Sequence, residues 1–140
     1  MTVRRESGQA VIEALLLGML LLIPTIWLLG VLSDLHRSAL AATAAAREAG
    51  FDAARSASPS DADAAVAKAV RRAFEDQGLE PAEARVRWGS GGALYRGDAV
   101  EVEVAYPVTV VQAPLLGRVS GPSVWVRARH IARVDPYRSL

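Results

Sequence analysis

Glu13 stands five positions after Gly8 in Arg4-Arg5-Glu6-Ser7-Gly8-Gln9-Ala10-Val11-Ile12-Glu13-Ala14-Leu15, at the entrance to an uncharged apolar stretch. A carboxylate beside such a stretch costs a few kcal/mol unless it is paired, hydrated or protonated, so it marks a site where a positive group is expected to meet it. The alternative is a carboxylate close enough to an interface to stay wet, needing no partner. The other reactive residue types are sparse. The chain has no cysteine and two widely separated histidines, His36 and His130, which excludes disulfide frameworks, thiol nucleophiles and zinc knuckles and argues against any metal site. No histidine is flanked by residues marking a triad, and Gly89-Ser90-Gly91-Gly92 lacks the lysine and hydroxyl residue of a phosphate loop. No cofactor is therefore expected, and no catalytic constellation. Sixteen basic against fifteen acidic residues leave a net charge of +1, so no overall field favours nucleic acid.

The element that must position Glu13 is the apolar stretch itself. With 140 residues the chain has room for one small domain, yet 51% of it is hydrophobic and its mean hydropathy is +0.20, more than an ordinary soluble domain needs. The excess lies between Ala14 and Leu32, an uncharged run of about 19 residues, the length a helix needs to cross a hydrocarbon core. Gly18, Pro24 and Gly30 would weaken a soluble helix, whereas in a bilayer the helix persists, with a kink expected at Pro24. Arg4 and Arg5 precede the run and the mixed trio Asp34, His36 and Arg37 follows it, so the positive-inside bias puts the N-terminus in the cytoplasm and everything after Leu32 outside. A cleavable secretory signal fits less well, because its apolar region is about 7 to 15 residues long and Ala39-Leu40-Ala41 lies well beyond.

A basic leader, a glycine, four residues, a glutamate and an unbroken apolar helix together resemble the prepilin processing signal of type IV pilin-like proteins. The remainder is similar to TadE-like minor pseudopilins of the tight-adherence (Flp) pilus, through the Leu-Leu-Ile-Pro stretch ending at Pro24, the Ala-Ala-Arg-Glu-Ala-Gly of Ala45 to Gly50, and the Val-x-Val-x-Tyr-Pro string ending at Pro107. The resemblance implies cleavage between Gly8 and Gln9 by a prepilin peptidase. It also implies a role for Glu13 in assembly with other pilin-like subunits and the pilus machinery, at the cytoplasmic (inner) membrane. Gln9 stands where better-known pilins carry phenylalanine, and Ala14 where the major Flp pilin commonly has tyrosine, which points to a minor component. The physical logic is that cleavage creates an ammonium at the head of an apolar helix, and Glu13 of a neighbour is the carboxylate available to it. Cyclisation of an N-terminal Gln9 would remove that charge.

Beyond the membrane the same helix is expected to continue from Ser33 to Arg55, with Leu32, Leu35, Ala39, Ala42, Ala46, Ala49 and Ala53 at spacings of three and four, a face suited to packing within the chain or to a partner helix. Ser58, Pro59 and Asp61 start a second helix, with Val66, Ala69, Val70, Ala73 and Phe74 on one face, Arg71/Glu75 and Arg72/Asp76 as i,i+4 pairs, and Gly78 as the stop. From Glu83 the period becomes two. Val86 and Trp88 alternate with arginines, Val100, Val102, Val104 and Tyr106 face inward up to Pro107, and Ser123 to Val134 forms the last strand after a loop through Pro114 and Leu115. Glu101, Glu103, Arg127 and Arg129 then share the opposite face as cross-strand ion pairs, and His130 ends the apolar one as a structural residue. Arg96-Gly97-Asp98 reads as a glycine turn and not as an adhesion tripeptide.

The expected fold is α+β: a leader over 1–8, a transmembrane and juxtamembrane helix over 9–57, and an extracytoplasmic domain over 58–140 with a second helix and a small antiparallel sheet. The expected function is that of a minor pilin-like structural or assembly subunit, not an enzyme. The rival is an unprocessed single-pass anchor presenting a small extracytoplasmic binding domain.

Overall fold

The computed structural model describes residues 6–90, 94, 97–110 and 121–135. Arg4, Arg5, Arg96 and the loop through Pro114 and Leu115 lie outside the described residues. The fold is α+β, with helices α1 (Glu6–Arg55) and α2 (Pro59–Glu75), a 3-10 turn (Pro81–Glu83), and strands β1 (Arg85–Ser90), β2 (Ala99–Thr109) and β3 (Ser123–Arg133). The strands form one antiparallel sheet in the order β1-β2-β3. By packing, the chain divides inside α1 into two units, Met1–Asp34 and Leu35–Leu140.

In the first unit α1 runs unbroken through Pro24. Proline has no N–H to donate to the carbonyl four residues earlier, while Thr25 donates its hydroxyl to the Leu21 carbonyl at 2.7 Å. The side chains from Val11 to Leu29 are exposed on every side of the helix, and the segment is long and apolar enough to cross a membrane, with a mean hydropathy of 2.5 and none of it buried.

The second unit builds its core on small residues. Ala41, Ala42, Ala45, Ala46, Ala49 and Ala53 of α1 are buried against Val66, Ala69, Val70, Ala73 and Phe74 of α2 and against Val100, Val102, Val104, Tyr106 and Val108 of β2. The alanine stripe thus serves packing within the chain. Its expected first member, Leu32, is 59% exposed and precedes the unit. Phe74 stacks on Tyr106 with ring centroids 4.8 Å apart, joining helix to sheet at the large end of the core.

Local signals set the element ends. Ser58 caps α2 by accepting the Asp61 N–H at 3.2 Å, with Pro59 in the first turn. Gly78, at φ +66°, lets the chain leave the helix as Leu79 N–H returns to the Phe74 carbonyl at 2.9 Å. Arg72 lies 3.9 Å from Glu48 of α1, so its charge bridges the two helices instead of pairing along α2 with Asp76. Gly97, at φ +83°, makes the turn into β2, where Val134 N–H bonds to the Asp98 carbonyl at 2.9 Å.

β2 continues past Pro107 to Thr109. The proline is tolerated because β1 begins opposite Ala105, leaving no strand beside Pro107 on that side. Val124, though on the same face of β3 as Val126 and Ala128, is 49% exposed, and burial is deepest at the far end, at Ala132 and at Val134 just past the strand.

Candidate functional site

Gly8, Gln9 and Glu13 all lie on α1, within its first turns. Gly8 has a helical, not a left-handed, backbone, and a Cβ placed on it would meet nothing within 4 Å. The fold therefore does not require glycine here, and alanine would favour the helix by about 1 kcal/mol. Gly18 and Gly30 have equally open surroundings.

Glu13 is exposed and enters no ion pair among the described residues. It follows Gln9 by four positions, and side chains at that spacing lie on one helix face. Arg4 and Arg5, on which the expected topology rests, are outside the described residues.

Of Glu101, Glu103, Arg127 and Arg129, which share the outer face of the sheet as expected, only Arg129 and Glu101 form an ion pair among the described residues. Glu103 faces Arg129 across β2 and β3, and Arg129 reaches along the face to grip Glu101 through two contacts, Nε to Oε1 and Nη2 to Oε2, each 2.6 Å. His130 faces Val102 on the core side. Its ring lies 5.1 Å from that of Phe51, and its Cδ2 would be 2.9 Å from a Cβ at Gly50. Its Nε2 is buried without a hydrogen-bond partner, so this histidine is structural but not fully satisfied. Glycine at 50 is required by this close approach and not by backbone conformation, which is why helical spacing alone gave no sign of it.

Two further features were not read from the sequence. Trp88 donates its indole N–H to Asp63 at 2.9 Å, tying β1 to α2 beside an open groove of about 550 Å³ floored by Val66, Val70 and Val86. Burial holds the Tyr106 phenol above its usual range, and Glu83 of the 3-10 turn and Glu80 just before it add repulsion in the same direction. Among the described residues no three metal-ligand side chains come together. Comparison with known proteins returns no family model, no curated protein and no solved structure that matches the chain.

Proposed function

We propose that the chain is a minor pilin-like subunit of a Flp-type pilus, held in the inner membrane by α1, cleaved between Gly8 and Gln9 by a prepilin peptidase, and serving assembly without catalysing a reaction. The observation that carries this reading is a glycine that neither the backbone conformation nor the packing requires, five residues before a lone carboxylate, on a helix apolar enough to span a membrane. On this reading Arg4 and Arg5 hold the N-terminus in the cytoplasm and the unit from Leu35 onward is exported. The partners are the peptidase, other pilin-like subunits and the assembly machinery; nucleic acid is not among them.

Intact-mass measurement of membrane-extracted protein tests the reading. Co-expression with an active prepilin peptidase should remove Met1 to Gly8, and Gly8→Leu should retain them. A wild-type leader left intact, while a control prepilin is processed in the same cells, overturns the proposal in favour of an unprocessed anchor.

A further inference from the structure

The helices cover one face of the sheet and leave the other bare, and on the bare face arginine predominates. Across the three strands the register places Arg85, Ala105 and Arg127 in one row and Arg87, Glu103 and Arg129 in the next. Glu101 is occupied by its double contact with Arg129. Arg85 and Arg127 are left on either side of Ala105, two strand spacings or about 10 Å apart at the backbone. The methyl group of Ala105 floors a pocket of about 140 Å³, lined by Arg85, Arg87, Glu103, Ala105, Trp125 and Arg127. No carboxylate among the described residues pairs with Arg85 or Arg127, and segments 1–5, 91–93, 95–96, 111–120 and 136–140 contain no aspartate or glutamate.

Three guanidinium groups and one carboxylate give this pocket a local charge of about +2. The Arg85 guanidinium lies over the Trp125 ring, 4.2 Å from its centroid, which fixes the orientation of its donors before any ligand arrives. The volume is below the roughly 300 Å³ at which pockets for drug-sized ligands begin, so it suits a single oxyanion group and not a nucleotide. A carboxylate would leave the pocket positive, whereas a doubly charged phosphoryl group balances it and offers oxygens to more than one guanidinium.

We propose that this pocket binds a phosphate monoester as its dianion, with Arg85 and Arg127 donating to it from opposite sides above Ala105 and Arg87 adding the third charge. The site is independent of cleavage at Gly8. Its ligand is a phosphoryl group carried either by a soluble or polymeric molecule or by a lipid headgroup.

The test is nitrogen-15 NMR of the full chain in uncharged maltoside micelles, titrated with inorganic phosphate at fixed ionic strength. Saturable shifts are expected at Ala105 and at the side-chain signals of Arg85, Arg127 and Trp125. Arg85→Gln and Arg127→Gln should each raise Kd at least tenfold, whereas Arg133→Gln, outside the pocket, should change it less than twofold. Lowering the pH from 7.5 to 5 should weaken binding at least tenfold, because the second ionisation of a phosphoryl group lies at about 6 or above and the dianion is lost. A second arm places the chain in neutral-lipid nanodiscs with and without phosphatidic acid. Saturation by inorganic phosphate assigns the soluble or polymeric source, and shifts at the same residues only with phosphatidic acid assign the lipid headgroup. Shifts that fail to saturate in both arms, that acetate reproduces, or that persist in Arg127→Gln overturn the proposal.

Discussion

Gly50→Ala sets two known effects against each other at one atom. In a helix interior, alanine is favoured over glycine by about 0.8 to 1 kcal/mol, so a substitution into open space would stabilise the protein. At position 50 the new Cβ would lie 2.9 Å from Cδ2 of His130 and 3.6 Å from Cβ of Ala132. The second distance is ordinary contact, and the first requires the imidazole to retreat by at least half an ångström. That ring also packs against Phe51, with centroids 5.1 Å apart, so the strain is set in the range of about 1 to 3 kcal/mol seen for overpacked cores. The net expectation for Gly50→Ala is a loss of about 0 to 2 kcal/mol. In a His130→Ala background the obstacle is gone and the full helical gain of about 1 kcal/mol should appear, so the two substitutions should couple by about 1 to 3 kcal/mol. Urea unfolding of the full chain in micelles, followed by near-ultraviolet circular dichroism, measures all four corners of the cycle. Equal stabilisation by Gly50→Ala in both backgrounds would refute the contact as the reason for the glycine.

Other perturbations report on other parts of the molecule. Val102→Asp buries a carboxylate at a position with 0% exposure and should unfold the sheet domain, whereas Glu101→Gln, which breaks an exposed pair, should cost about 1 kcal/mol or less in the same urea assay; similar losses would contradict the register. Because the Tyr106 phenol ionises at higher pH when folded than when unfolded, its contribution to stability is complete below about pH 10 and is lost as pH rises through the folded value, so Tyr106→Phe should flatten the alkaline fall in melting temperature. If the chain is the pilin-like subunit proposed above, Glu13→Gln should leave insertion and cleavage intact while reducing co-purification with pilin-like subunits; undiminished association would remove the pairing role of Glu13 without touching the processing proposal.

Much of the second unit could be read from periodicity because each local signal agrees with the tertiary outcome. The two-residue alternation from Val100 to Tyr106 becomes a buried row, and the cap at Ser58 and the stop at Gly78 fall where side-chain chemistry and backbone freedom place them. What escaped the sequence depends on distances between elements. The Arg72 to Glu48 bridge, the Trp88 to Asp63 hydrogen bond and the approach of Gly50 to His130 join residues far apart in the chain, and no spacing rule within one helix or strand encodes them. The candidate processing residues show the opposite case. Gly8, Gln9 and Glu13 were legible as a linear pattern, and no contact among the described residues bears on the chemistry proposed for them.

The division at Asp34 and Leu35 follows from how one helix meets two kinds of surroundings. From Ala14 to Leu32, leucine, isoleucine and methionine occur on every face, and burying only one face would leave the rest unsatisfied in water; such a pattern suits a medium that is apolar all round. From Leu35 to Arg55 the apolar residues narrow to a stripe of alanines, with Arg37, Arg47 and Arg55 on the exposed side, which suits a helix packed on one face and wet on the other. Hydrophobic amount alone does not separate the two halves, since both are rich in apolar residues. Side-chain size does. Large residues gain most from lipid contact when nothing packs on them, whereas small ones bring the backbone close to a neighbouring helix or strand and stabilise by contact and not by area. The first charged residue after the span, Asp34, marks the change from one regime to the other, and the packed unit begins at the next residue.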